Sequence, residues 1–167
     1  MALIKLNKSG LPSGTVLQVV SAEKTDTQQI TGAYADVLSV TITPTSTTSK
    51  ILVQVTVNGS ATSRYSGIKL FRGSTQIALG DATGSVSRVF MSIDSNQDEA
   101  NSAYILRTMS GSFFDTPSSN SAVTYKIQAG SDHSGSDVTN INKMPNSDTG
   151  NFSLRGITSI TVTEIAG

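Results

Sequence analysis

The stretch Lys50-Ile-Leu-Val-Gln-Val-Thr-Val-Asn58 decides the fold class of this chain. Apolar residues recur at every second position, so one face would carry Ile51, Val53, Val55 and Val57. The other face would carry polar residues, with Leu52 as the one exception. Side chains of a β-strand alternate between its two faces, so this pattern predicts a strand with one buried side.

The same alternation recurs along the chain. It predicts further strands at residues 18–20, 38–42, 68–70, 77–79, 86–93, 104–110, 123–129 and 157–165, with Ile160 and Val162 pointing inward in the last of them. Residues rich in Pro, Gly and hydroxyl side chains separate them, and turns are expected at 43–49, 72–75 and 114–120. The sequence therefore predicts eight or nine strands.

Composition favours the same fold class. The 167 residues include 26 Ser and 21 Thr but only 3 Glu, and no window of ten residues has a convincing amphipathic helical pattern. Strands with one apolar face must stack sheet on sheet or close on themselves. We expect an all-β, antiparallel two-sheet sandwich of about eight strands, jelly-roll-like, over residues 15–167.

Residues 1–14 form a separate N-terminal segment in this interpretation. Pro12 and the neighbouring glycines disfavour a regular element there. Two interpretations stay open, namely a frayed terminus and an arm that docks on a neighbouring subunit. The arm is suggested by an unusual density of large aliphatic side chains, and its candidate docking residues are Leu3, Ile4, Leu6, Leu11 and Pro12.

Charge and cysteine content exclude several classes of protein. Twelve basic residues balance twelve acidic ones, and without a concentrated basic patch we expect no nucleic-acid partner. No apolar run is long enough to cross a membrane, so no membrane partner is expected either. The chain has no Cys, which excludes disulfides and thiol chemistry.

Candidate reactive residues are few. The single histidine, His133, lies in a long polar loop expected at residues 130–151, among Asp132, Asp137 and Asp148. One imidazole is too few for a zinc site, and no nucleophile motif is present. A loose calcium site is conceivable at Asp94, Asp98 and Glu99, although the EF-hand glycine and terminal Glu are missing. We therefore predict no catalytic residues, no cofactor and no metal, and a paired-carboxylate hydrolase is the weaker alternative.

Several segments together resemble small virion proteins of tailed bacteriophages, particularly those of marine and cyanobacterial phages. They cover nearly the whole chain in order: Met1-Ala-Leu-Ile-Lys-Leu-Asn7, Leu11-Pro-Ser-Gly-Thr-Val-Leu-Gln-Val-Val20, Ser49-Lys-Ile-Leu-Val53, Leu70-Phe-Arg-Gly-Ser-Thr-Gln-Ile-Ala78, Asp115-Thr-Pro117, Val123-Thr-Tyr-Lys-Ile127 and Ser159-Ile-Thr-Val-Thr-Glu-Ile-Ala166. The resemblance brings no catalytic motif with it.

What the resemblance implies is a structural protein of the virion, assembled in the host cytoplasm. The expected function is a non-enzymatic capsid decoration (cement) protein that bridges capsomers. Its expected partners are the major capsid protein, or another virion protein, and further copies of itself, with a homotrimer favoured. The alternative is a tail-fibre tip or adhesin that recognises the host surface.

Overall fold

The computed structural model describes residues 11–62, 65–93, 105–145 and 153–167. These residues form antiparallel strands arranged in two sheets, which confirms the predicted all-β sandwich. The eleven described strands are β1 (Val16–Lys24), β2 (Gln28–Thr31), β3 (Ala35–Ile42), β4 (Lys50–Ala61), β5 (Ser66–Arg72), β6 (Thr75–Ile77), β7 (Met91–Ser92), β8 (Arg107–Asp115), β9 (Val123–Ser131), β10 (Val138–Ile141) and β11 (Thr158–Ile165). In this described part of the chain, no helix has the length and apolarity that crossing a membrane requires.

The first sheet is built around β4. Strand β8 pairs with one edge of β4, and β11 and β10 pair one after the other with its opposite edge. Beyond them lie β1, which pairs with β11, and β2, which pairs with β10. Strands β10 and β11 pair with different stretches of the same edge of β4, so they share one strand position, and β1 and β2 share the next. This sheet is therefore four strands wide.

The second sheet has the order β3, β9, β5, and then β6 and β7 together at the outer edge of β5. It too is four strands wide. The eleven segments therefore fill eight strand positions, as the predicted number of about eight requires, and three of these positions are interrupted.

The side chain of Asn142 bridges the gap between β10 and β11 with hydrogen bonds. Its side chain is fully buried, and its amide donates to the carbonyls of Lys24 and Asp26 at 2.7 and 3.0 Å. Its Oδ1 accepts a hydrogen bond from the Thr158 hydroxyl at 2.8 Å, and its backbone N–H donates to the Asn58 carbonyl at 2.7 Å. The backbone φ of +59° is one that Asn tolerates better than most residues. One side chain thus supplies the hydrogen bonds that the broken ladder lacks.

The core lies between the two sheets. The four β4 residues that the alternation assigned to one face are at most 1% exposed, and Ile160 and Val162 of β11 are fully buried, as predicted. The facing sheet contributes Ile68, Leu70 and Ile127, which are also fully buried. Period-two alternation therefore identified the inward-facing residues correctly.

The prediction of a strand over residues 86–93 is wrong except at Met91–Ser92. Instead, Phe90 and Val89 pack across the open edge of the sandwich. A Cβ added at Gly111 would lie 2.7 Å from the Phe90 ring, and one at Gly67 would lie 2.6 Å from Val89. Phe90 and Ile93 still donate backbone hydrogen bonds to β5 at 2.8 and 2.9 Å, but residues 86–89 form no strand.

Two loop predictions need correction. Strand β8 continues to Asp115, so the turn expected at 114–120 begins later, and β8 begins at Arg107 among the described residues. The polar loop expected at 130–151 contains the last two residues of β9 and all of β10. Polar residues pair there because Thr139 and Asn140 are buried and hydrogen-bonded to Ser66 and Ser60.

Candidate binding surfaces

The described start of the chain is fixed to its end. The carbonyl of Pro12 accepts a hydrogen bond from the Thr15 hydroxyl at 2.7 Å, and the N–H of Gly14 donates to the carbonyl of Ala166 at 2.8 Å. Leu11 is half-buried and lines a small cavity of about 290 Å³ beside the β3–β4 connection. The root of the predicted arm is therefore ordered, whereas the other candidate docking residues, Leu3, Ile4 and Leu6, lie outside the described residues.

A buried carboxylate stabilises the same end of the sandwich. Glu164 is fully buried, and its Oε1 accepts hydrogen bonds from the Thr45 N–H at 2.6 Å and from the Thr45 and Ser49 hydroxyls at 2.7 Å. Its Oε2 accepts one from the Gln18 amide at 2.5 Å. Burial opposes ionisation, but the hydrogen bonds from Ser49, Gln18 and Thr45 outweigh it and lower the pKa of Glu164 below 4.5. Glu164 thus ties β1, β11 and the β3–β4 connection together.

An apolar strip crosses the outer face of the first sheet near this end. The register aligns Val19 with Thr163, Thr163 with Leu52, and Leu52 with Phe114, so three apolar side chains and one threonine form a row over all four strand positions. Val19 and Phe114 are 59% and 61% exposed. Exposed apolar side chains that form a continuous patch mark a binding surface more often than scattered ones do.

The rest of that face is uncharged over most of its width. Alternation and register place on it, beside the apolar strip, the polar residues Ser21, Ser159, Thr161, Gln54, Thr56, Ser110 and Ser112. Within the described strands, the charged residues on this face are Glu23 at one corner and Lys50 at another. A partner would therefore remove few charges from water on docking here.

The outer face of the second sheet is different, because it carries ion pairs. Lys126 contacts Asp36 at 3.0 Å, and Lys69 contacts Asp132 at 2.8 Å. Hydrogen bonds from Gln128 and Lys126 lower the pKa of Asp36. The two faces of the sandwich therefore differ in chemistry, one charged and internally paired, the other hydroxyl-rich and apolar.

A cluster of Asp115, Arg72 and Tyr125 joins the two sheets. The Tyr125 hydroxyl donates to Asp115 at 2.6 Å, and an Arg72 nitrogen lies 2.8 and 3.0 Å from the two Asp115 oxygens. Burial, followed by the hydrogen bond to Asp115, raises the pKa of Tyr125. Tyr125 is fully buried, so this cluster is part of the core boundary rather than an accessible site.

His133 lies at the opposite end of the sandwich, where it borders a cavity of about 360 Å³. Its ring stacks on Tyr65 with 4.0 Å between ring centroids and an angle of 24°. The cavity is also lined by Asp132 and by hydroxyl and apolar side chains from two segments, namely Ser66, Ser85, Val86, Ser87, Val89 and Ser92. The two ends of the sandwich are about 25–30 Å apart, which is the length of the nine-residue strand β9.

The acidic neighbours of His133 come from its own loop. Its Nδ1 lies 3.4 Å from Asp137, which also accepts a hydrogen bond from the Ser131 hydroxyl at 2.6 Å. Asp132 and Asp137 both lie in the β9–β10 connection, and within the described residues no contact joins the imidazole to an acid from another loop. Across the described ranges, no three His, Asp or Glu side chains gather as metal ligands. The conceivable calcium ligands Asp94, Asp98 and Glu99, and also Asp148, lie outside those ranges.

Sequence reasoning missed most of the cavity. Its lining comes from segments that are distant in the sequence, so only the single His133 drew attention to this end of the molecule. No protein-family model matches the chain, and no curated protein matches its sequence. Its function must therefore be argued from these surfaces.

Proposed function

We propose that this protein is a non-enzymatic structural component of a phage virion, a capsid decoration protein that bridges neighbouring capsomers. The observation that carries the proposal is the apolar strip Val19–Thr163–Leu52–Phe114, which lies at the same end as the root of the N-terminal arm. The strip and the arm would contribute to the same contact with the capsid. The resemblance of the sequence to phage virion proteins supports the choice of partner.

The size of the face indicates how such docking would work. Four strands about 4.8 Å apart and about eight residues long offer roughly 500 Å² of outer surface. A stable interface between two proteins buries about 800 Å² on each side, so this face alone would hold its partner weakly. Added contacts from the arm, and from other copies in a homo-oligomer such as a trimer, would raise occupancy through effective concentration.

The first experiment tests the strip by co-sedimentation with capsids stripped of this protein. The variant Phe114→Ser should lower occupancy at least about tenfold, since it removes a large exposed apolar side chain from the contact. Val86→Ser is the matched control, because Val86 is 67% exposed but lies at the other end of the sandwich. Equal occupancy of wild type and Phe114→Ser would reject the strip as the docking surface.

The second experiment tests the arm. Deletion of residues 1–10 removes Leu3, Ile4 and Leu6 but keeps Pro12, whose carbonyl is hydrogen-bonded to Thr15. Occupancy should fall while the melting temperature stays within a few degrees of that of the full chain. Unchanged occupancy would show that the arm is not the anchor. Light scattering of the same samples reports whether either change alters the number of copies in the oligomer.

The cavity beside Tyr65 and His133 favours a second candidate, a tail-fibre tip or adhesin that binds the host surface. It lies at the end opposite the arm root, where an attached protein would present it outward. Labelled protein incubated separately with host cells and with stripped capsids discriminates between the two functions. Binding to cells alone would favour the adhesin, and binding to capsids alone would favour decoration.

A further inference from the structure

Two rings form an exposed platform at the mouth of the cavity. Tyr65 is 58% exposed, and the His133 side chain is 54% exposed although the two rings stack on one another. Val86, the most exposed of the described large apolar side chains, lies beside them. A platform of this kind favours a ligand with an apolar face, because the face of an aromatic ring attracts weakly positive C–H groups.

The cavity also holds a carboxylate oriented by its neighbours. The Lys69 ammonium and the Ser87 hydroxyl both bind the same oxygen of Asp132, Oδ2, at 2.8 and 2.5 Å. No described residue donates to the other oxygen, Oδ1, and the side chain is 50% exposed. Oδ1 is therefore a fixed acceptor that a hydroxyl group of a ligand can reach.

Charge balance narrows the class of ligand. Lys69 compensates Asp132, and Asp137 lies beside His133, so the described residues of the cavity wall contribute no excess positive charge. A phosphate or sulfate would meet the Asp132 carboxylate and be repelled. A wholly apolar ligand would cover the Asp132 oxygen without replacing its hydrogen bonds to water, which is costly.

A ligand that fits has a C–H face for the rings and hydroxyl groups for the carboxylate and the serines. We propose that the cavity lined by Tyr65, His133 and Asp132 binds a neutral saccharide, with one sugar ring stacked on the aromatic platform and a sugar hydroxyl donating to Asp132 Oδ1. A volume of about 360 Å³ is at the small end of ligand sites, so one or two sugar units would occupy it. This inference deepens the adhesin candidate and rests on it only for its biological role.

Saturation-transfer NMR on the full chain tests the inference directly. The probes are the methyl glycosides of glucose, galactose, mannose and N-acetylglucosamine, with sialyllactose as the anionic comparison. We expect saturation transfer to the protons of at least one neutral probe, with a dissociation constant on the order of 1 mM, and none to the sialic acid unit. The absence of transfer to every neutral probe would overturn the proposal.

Three variants locate the binding. Tyr65→Ala should weaken binding about tenfold, because it removes the stacking surface, and Asp132→Asn should weaken it several-fold. Asp36→Asn is the matched control, since Asp36 forms the same kind of exposed lysine pair on the same sheet but away from the cavity. Unchanged binding by Tyr65→Ala, or equal loss in Asp36→Asn, would place the saccharide elsewhere.

Cell binding, measured on the same variants, separates this inference from the function. Sugar binding without cell binding rejects the adhesin role and leaves the saccharide site standing. Cell binding that Tyr65→Ala does not reduce, in a protein that binds no probe, rejects the saccharide site and leaves the adhesin role standing.

Discussion

Replacing the buried Glu164 by Gln tests whether hydrogen bonds alone keep a carboxylate ionised inside this sandwich. The change removes the charge but keeps the shape of the side chain. The three hydrogen bonds to Oε1, from Thr45 and Ser49, can persist in Glu164→Gln if its carbonyl oxygen takes that position. The fourth cannot, because the new amide would then face the amide of Gln18, and both are donors.

The expected magnitude follows from those four bonds. A hydrogen bond to a charged group contributes about 1.5–3 kcal/mol, and a neutral one about 0.5–1.5 kcal/mol. Glu164→Gln therefore loses one charge-assisted hydrogen bond and weakens three others. It also avoids the free-energy cost of burying a charge, which offsets part of that loss. We expect a net loss of about 2 kcal/mol in the free energy of unfolding at pH 7.

The pH dependence gives a second, independent signature. The folded-state pKa of Glu164 lies below 4.5, its ordinary value and that expected in the unfolded chain. Its contribution is therefore fully present above pH 4.5 and is lost as the pH falls through the folded-state pKa. Because Glu164→Gln has no such group, the difference between its free energy of unfolding and that of wild type should be smaller at pH 3 than at pH 7.

Urea unfolding at pH 7 and at pH 3 measures both effects, and Glu23→Gln on the exposed face of β1 is the matched control. We expect the control to stay within about 0.5 kcal/mol of wild type. If Glu164→Gln were as stable as wild type at pH 7, or if its deficit were the same at both pH values, the argument from hydrogen-bonded charge would be refuted.

Three other substitutions test particular contacts by the same unfolding measurement. Asn142→Ala should cost about 2–3 kcal/mol, because it leaves two partly buried carbonyls and the buried Thr158 hydroxyl without their partner and places Ala at positive φ; a loss under about 0.5 kcal/mol would contradict its role in the broken ladder. Tyr125→Phe should cost about 1–2 kcal/mol through the lost hydrogen bond to Asp115, and unchanged stability would mean that this bond contributes nothing. Gly130→Ala should cost at least about 2 kcal/mol, since the added Cβ would lie 2.6 Å from the backbone of Tyr34; a fully stable variant would show that the two segments can separate.

Much of the fold could be predicted because its signal is local. In Lys50–Ala61 and Thr158–Ile165, the apolar residues that alternation assigned to the inward face are buried, since a strand must turn successive side chains to opposite faces wherever it pairs. The prediction failed at 86–93, where apolar residues seal an edge, and at Val138–Ile141, where buried polar residues pair with partners about 80 residues away.

The candidate sites were less accessible to sequence reasoning. Leu11 and Pro12 were named from composition, and the structure places them at the root of the predicted arm. The apolar strip was not predicted, because Val19, Leu52 and Phe114 are isolated apolar residues in the sequence until strand register aligns them in one row. The cavity at Tyr65 was missed for the same reason, since its lining comes from separate segments.

By itself, the sequence determined the fold class, the apolar residues of the longest strands that face the core and the absence of thiol chemistry. Each of these depends on composition or on alternation with a period of two residues, and both can be recognised without knowing which segments are in contact. Only the tertiary structure decided which strands are neighbours, that Glu164 meets donors more than 100 residues away, and that one face of the sandwich carries paired charges while the other carries almost none. Those features arise from contacts between distant segments, and a local pattern carries no information about which distant segment it will meet.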